Sequence, residues 1–195
     1  MSKEYKVGVL GASGAVGREV LNCLEERGFP FSEVKALASE RSAGIKLNFA
    51  GGEITVEAVQ PNSFQGLDLA IFSAGADASG EYAPLAARDG CPVVDNSSRW
   101  RQDDRVPLVV PEVNARVLSE HRGIIANPNC STIQMLVALK PVYDAVGIKR
   151  IVVATYQAVS GTGQRAVEEL AGQTRQIFSL QETTNHVYSH RIAFN

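Results

Sequence analysis

Short apolar runs and helix-period patterns take turns along the first two thirds of the chain. Lys6-Val7-Gly8-Val9-Leu10 reads as a compact strand. A glycine-rich turn follows, and then an amphipathic helix to about Arg27, with apolar Val16, Val20, Leu21 and Leu24 at i, i+4, i+5 and i+8. Gly28 is the expected end of that helix. Residues 34–39 give a second strand, and residues 45–49 and 53–59 two short β segments joined at Gly51-Gly52 like a hairpin. Strand patterns recur at 67–73, 92–95, 108–110 and 123–126, with a helix at 78–89 in which Pro84 could introduce a kink. Apolar strands alternating with helices predict a parallel sheet covered on both faces.

The character changes at the turn Asn127-Pro128-Asn129. Cys130 opens a helical stretch over 131–145, expected to be interrupted at Pro141. Residues 148–160 form one long strand pattern. Residues 164–180 read as a helix with apolar positions Val167, Leu170, Ala171, Thr174, Ile177 and Phe178, and 186–195 as the start of another strand. The reading is therefore an α/β protein: a Rossmann-like doubly wound parallel sheet over residues 1–126, followed over 127–195 by the incomplete beginning of an α+β catalytic and dimerisation domain.

Composition narrows the function. Nineteen Lys and Arg against twenty-one Asp and Glu leave a net charge of −2, without the basic excess of a nucleic-acid binder. No apolar run reaches the roughly 18–20 residues needed to span a bilayer, and the N-terminus carries no signal-peptide pattern, so a cytoplasmic protein is expected. The three cysteines, Cys23, Cys91 and Cys130, are too widely spaced for a metal site or a disulfide framework, and no His/Cys/Asp/Glu cluster has ligand spacing.

Three positions carry chemistry. Gly11-x-x-Gly14-x-x-Gly17 between a strand and a helix is an extended dinucleotide fingerprint, in which glycine admits a pyrophosphate to the backbone and the helix N-terminus supplies unpaired N–H groups. A tight turn that binds nothing is the alternative. After the second strand, Ser39-Glu40-Arg41-Ser42 favours NADP, because Arg41 and the two hydroxyls suit a 2′-phosphate; Glu40 on a bare ribose is the competing reading. Cys130 at a helix start stands where the dipole and free N–H groups favour a nucleophilic sulfur, although a small buried thiol fits that position equally well. Cys23 and Cys91 read as small buried hydrophobes.

Six segments together resemble aspartate-β-semialdehyde dehydrogenase: Gly11-Ala12-Ser13-Gly14-Ala15-Val16-Gly17, Arg41-Ser42, Asp95-Asn96-Ser97-Ser98, Val110-Pro111-Glu112-Val113-Asn114, Asn127-Pro128-Asn129-Cys130-Ser131-Thr132, and Tyr156-Gln157-Ala158-Val159-Ser160-Gly161-Thr162-Gly163. They occur in the family's order and span nearly the whole chain. The resemblance implies NADPH-dependent reductive dephosphorylation of L-4-aspartyl phosphate to L-aspartate 4-semialdehyde and phosphate, on the way to lysine, diaminopimelate, threonine and methionine. It implies that Cys130 forms an acyl-thioester, that Gln157 orients the substrate, and that Arg101, with Asn96 close by, holds the phosphate. Cofactor contacts would fall on Gly11, Ser13, Gly14, Ala15, Val16, Arg41, Ser42, Ser160 and Gly161. The family forms homodimers or homotetramers.

One departure stands out. The family's acid/base histidine sits in a Gly-His-Ser type motif that this sequence lacks, and His121, His186 and His190 all lie in surface-like segments. The chain is accordingly expected to be the N-terminal portion of a longer enzyme and to turn over poorly alone. A cofactor-binding fragment with impaired catalysis and a related acyl-phosphate reductase, such as N-acetyl-glutamyl-phosphate reductase, are the competing readings.

Overall fold

In the computed structural model, which describes residues 3–195, the first apolar run becomes β1 (Tyr5–Leu10), at the heart of a six-stranded parallel sheet. The other strands are β2 (Phe31–Ala38), β5 (Glu57–Ala58), β6 (Leu69–Phe72), β7 (Val93–Asp95) and β8 (Ile124–Ala126), in the order β5-β2-β1-β6-β7-β8. With β3 (Lys46–Phe49) and β4 (Gly52–Thr55) set aside in their own antiparallel pair, this is the 3-2-1-4-5-6 order of a Rossmann sheet. The order reverses between β1 and β6, whose register runs from Val7 opposite Leu69 to Leu10 opposite Phe72.

Alternation along the strands fills two cores. Val7, Val9, Ala36 and Ala38 point to one face, where Leu21 and Leu24 of α1 (Ala15–Glu26) and Leu47 and Phe49 of the hairpin cover them. Leu10, Leu37, Ala70 and Phe72 point to the other, under Ala83 and Ala86 of α2 (Ala76–Arg88), with Phe64 closing the layer. Fully burying a side chain such as Phe72 contributes about 1.5–3 kcal/mol. Helix α1 ends as the pattern requires: Gly28, just past its last turn, has φ +58.

Several elements differ from the sequence expectation. The segment 53–59 divides into β4 and β5, and the hairpin turns at Ala50-Gly51, both at positive φ (52° and 74°), as a two-residue turn between twisted strands demands. Residues 108–110 make only a single bridge, Leu108 to Ala126. Pro84 and Pro141 leave α2 and α4 (Cys130–Val146) continuous, because each removes just one backbone donor. Residues 148–160 do not form the expected strand, nor do 186–195: among the described residues no strand pairs with either segment, and Ile151, Val152, Val153 and Tyr156 are exposed. A strand exists only where a neighbour takes its N–H and C=O groups.

The chain divides into two compact units, Met1–Val153 and Ala154–Asn195. The expected functional boundary at 126/127 falls at the end of β8, and α4 groups with the sheet. In the second unit α5 (Gln164–Phe178) buries Ala166, Glu169 and Gln173, not the predicted stripe; Phe178 is exposed.

Candidate active site

The glycine turn lies at the carboxyl ends of the strands, between β1 and α1. Its three glycines are needed for different reasons. Gly11 has φ +90, and a Cβ there would sit 2.5 Å from the carbonyl oxygen of Ser73, at the head of β6. At Gly17 a Cβ would fall 2.1 Å from the carbonyl oxygen of Gly11, so this glycine lets α1 approach the strand. Gly14 is different: its φ is −77°, and a Cβ would meet only the Gly11 carbonyl, at 3.3 Å. The protein itself has little need of a glycine there; a ligand lying on the backbone would. Gly14 caps α1 without a side-chain hydrogen bond, no acidic residue occupies the first turn, and Gly14, Ala15 and Val16 are exposed. The dipole end is open to an anion. Ser13 stands at the same turn, its carbonyl accepting from Arg18 Nε at 3.2 Å.

β2 runs parallel to β1, so the segment after it reaches the same edge of the sheet. There Glu40–Ser42 form a 3-10 turn, closed by Ser42 N–H donating to the Ser39 carbonyl at 2.9 Å. Glu40 and Arg41 are both exposed and Ser42 half-buried.

Across the switch point, the ends of β7 and β8 are tied together. Asn127 N–H donates to the Asp95 carbonyl at 2.8 Å, and Asn127 Nδ2 to Asn96 Oδ1 at 2.9 Å. Arg101 closes the knot, with Nε donating to the Asn127 carbonyl at 2.9 Å and Nη2 to the Asn96 carbonyl at 3.0 Å. Two of its five N–H groups are thus spent on holding the guanidinium in place. Below it, buried Asp95 accepts from Ser97 Oγ at 2.6 Å, and Ser97 Oγ accepts from the Arg99 N–H. Asp95 Oδ1 is buried without a hydrogen-bond partner among the described residues.

Beyond Asn127, the chain turns into α4. Asn129 caps that helix, its side-chain oxygen accepting from Ser131 N–H at 3.0 Å, and Cys130 is exposed on the first turn. The position open to either reading in the sequence is therefore not a buried thiol. Cys23 is also exposed, against expectation, because the apolar face of α1 passes through Leu21 and Leu24 and leaves residue 23 on the solvent side. Cys91 is buried, and burial, with Asp68 and Asp89 nearby, pushes its thiol up to about 11.

In the second unit Gln157 lies in a stretch without regular structure, and Ser160 and Gly161 are exposed in the 3-10 turn Val159–Thr162 that leads into α5.

Residues 6–121 match the family described as semialdehyde dehydrogenase, NAD binding domain, and residues 139–195 the semialdehyde dehydrogenase dimerisation domain. The chain belongs to the semialdehyde dehydrogenase family. Among its relatives, an aspartate-semialdehyde dehydrogenase of Aquifex aeolicus is 55% identical over 98% of this chain and 57% of its own length. A crystal structure of aspartate semialdehyde dehydrogenase II from Vibrio cholerae, complexed with ASA, superposes with a TM-score of 0.91 at 49% identity, covering 100% of this chain and 58% of that one. Another, of the Candida albicans enzyme with NADP, gives 0.60 at 30% identity over 74% and 48%. The chain thus spans under three fifths of the length of these curated relatives.

The first unit brings the family's glycine turn, the turn after β2, the Asn96–Arg101 pair and Cys130 to the carboxyl side of one sheet. Sequence reasoning named Asn127 only as part of a motif; the structure makes it the link between Asn96 and Arg101. Glu169 and Gln173 were not singled out at all. Among the described residues, no three His, Cys, Asp or Glu side chains gather in a way that could hold a metal ion, and no helix is long and apolar enough to cross a membrane.

Proposed function

We propose that this chain supplies the cofactor-binding and nucleophile-bearing part of an NADP-dependent aspartate-semialdehyde dehydrogenase, acting on L-4-aspartyl phosphate in the lysine, diaminopimelate, threonine and methionine routes. The observation that carries the reading is Cys130: an exposed thiol on the first turn of α4, three residues after Asn127, whose carbonyl holds the Arg101 guanidinium in position. Residues 1–126 serve as the cofactor domain and 127–195 as the start of the catalytic and dimerisation domain of a cytoplasmic homodimer or homotetramer. The relatives' names, the NADP in the Candida structure and the dimerisation-domain match support these parts.

The residues fit the cofactor. The uncapped N-terminus of α1 and the backbone of Ser13, Gly14, Ala15 and Val16 would hold the pyrophosphate beside Gly11, and Arg41 and Ser42 the 2′-phosphate. Ser160 and Gly161, in their exposed turn, would add a further cofactor contact. When bound, the reduced nicotinamide supplies the hydride that takes an acyl group to the aldehyde level.

The chain's own steps follow from its chemistry. Cys130 Sγ, as thiolate, attacks the acyl carbon of aspartyl phosphate; the C–O bond to phosphate breaks and a thioester remains on the sulfur. Arg101 holds the departing phosphate through N–H groups that the Asn96 and Asn127 carbonyls leave over, with Asn96 lining the site. Gln157 orients the substrate through an amide that does not titrate.

The test is phosphate-dependent reduction of NADP by aspartate semialdehyde, using the native protein. Cys130→Ala is expected to lower kcat by roughly 10⁴-fold or more, the scale on which a lost nucleophile acts; turnover near the unmodified rate would reject the reading. Arg41→Ala is expected to weaken NADPH by about 1–3 kcal/mol, the range of a charge-assisted hydrogen bond, and to leave NADH nearly unchanged. Equal weakening of both would return the site to the Glu40 alternative.

A further inference from the structure

The second unit holds an arrangement that the proposed chemistry does not use. Glu169, on the buried side of α5, turns its carboxylate on three consecutive backbone N–H groups: Oε2 accepts from His186 at 2.6 Å and from Val187, and Oε1 accepts from Tyr188 at 3.2 Å. One turn further along, Gln173 is almost wholly buried and fully bonded. Its Nε2 donates to the Thr184 carbonyl at 3.0 Å and to Asn185 Oδ1 at 2.9 Å, and its Oε1 accepts from the N–H groups of Ile192 at 2.9 Å and Ala193 at 3.1 Å. Two side chains of one helix thereby fix a segment that has no secondary structure of its own.

That segment then reaches back. The Tyr188 hydroxyl donates to Thr162 Oγ1 at 2.9 Å, across 26 residues. Thr162 closes the turn that carries Ser160 and Gly161, which among the described residues its own backbone ties only once, through the Gly163 N–H donating to the Ser160 carbonyl at 3.0 Å. Ser160, Gly161 and Thr162 are exposed, Gly163 follows at φ +104, and a Cβ built at Gly161 or Gly163 would find nothing within 4 Å. No side chain caps α5 behind it. An exposed hydrogen bond adds little to global stability; this one ties the exposed turn to the segment docked on α5.

We propose that Glu169 and Tyr188 are positioning residues for the cofactor: Glu169 docks residues 186–188 on α5, and Tyr188, held there, fixes the Ser160–Gly161 turn through Thr162. The inference rests on the reading of that turn as a cofactor contact. Because the contact is made by a turn with two glycines, its entropy of ordering falls on binding unless another group has already fixed it, and the clamp does so in advance.

The experiment measures NADPH dissociation constants and amide exchange over residues 159–163 in the native protein. Tyr188→Phe removes one hydroxyl and is expected to raise the dissociation constant by roughly 3- to 10-fold, the scale of one hydrogen bond, with faster exchange in the turn and an unchanged melting temperature. Thr162→Val is expected to do the same, and the double variant no more than either single one. Glu169→Gln is expected to speed exchange over both 186–188 and 159–163. Gly161→Leu separates the two levels of the argument, since it fills open space without meeting protein atoms. If Gly161→Leu abolishes NADPH binding while Tyr188→Phe changes neither affinity nor exchange, the clamp is overturned and the turn keeps its role. If Gly161→Leu binds NADPH normally, the cofactor reading of the turn fails and the positioning role falls with it.

Discussion

Helix α1 is held against its sheet by Leu21 and Leu24, side chains that ask only to be out of water, whereas α5 holds its neighbouring segment through Glu169 and Gln173, which ask for particular donors and acceptors at particular angles. The two modes tolerate error differently. An apolar layer can lose a methyl group and settle; a buried amide that loses one partner leaves an unsatisfied polar atom in low dielectric. The first region therefore has its stability spread over many side chains, and the second has its geometry concentrated in two.

Three measurements would break or sharpen that contrast. The largest effect is expected from Phe72→Ala, which empties the centre of one core, where Phe72 and Phe64 stack with ring centroids 5.2 Å apart. It should cost about 3–5 kcal/mol, read as a drop in the urea midpoint and faster exchange in β1 and β6. A loss under 1 kcal/mol would mean that the layer is not packed as described. Gln173→Leu comes next. It keeps the volume but leaves the Ile192 and Ala193 N–H groups and the Thr184 carbonyl without their partner. About 1–3 kcal/mol of local stability should go, seen as proteolysis and exchange within 184–193 and little change in β1. Global unfolding instead would erase the distinction between the regions.

The smallest effects come from pH, and they have opposite signs in the two regions. Burial raises the Glu169 carboxyl, but the N–H groups of Val187, His186 and Tyr188 together lower it below its ordinary 4.5. Its stabilising contribution is present above that value and is lost as pH falls through the lower folded-state value, so 184–193 should loosen first in acid. Cys91 is the reverse: raised from 9.0 to about 11, it stabilises below 9 and the contribution is lost as pH climbs to 11. Cys91→Ala should flatten the alkaline decline of the first unit; an unchanged decline would assign it to other groups.

What could be read in the sequence follows the same division. The glycine turn was legible because Gly11 and Gly17 answer to local backbone demands, and the parallel, helix-covered sheet because apolar runs alternating with helices admit few arrangements. Cys130 was legible as a helix start and undecided as to exposure, since exposure depends on what surrounds α4. Glu169 and Gln173 were not legible: their partners are mostly backbone groups up to twenty residues away, in a segment whose pattern suggested a strand, while the apolar stripe through Val167 and Leu170 proves only half-buried and Phe178 exposed. The strand expected over 148–160 failed for a related reason. Its apolar residues are as suggestive as those of β1, but a ladder is a property of two strands, and periodicity describes one.

The place of β1 has a consequence for how the protein is made. Both its neighbours come later in the chain, β2 soon and β6 only after the hairpin and β5 have been synthesised. At a ribosomal rate of roughly 5–20 residues per second, the wait for β6 lasts about 3–12 s. During that interval a nascent chain can pair β1 with β2 and dock α1, yet the other side of β1 still offers a bare row of N–H and C=O groups, flanked by Leu10 and Gly8. The newborn polypeptide is most open to sticking to a neighbour in those seconds, and the emergence of Leu69–Phe72 ends them.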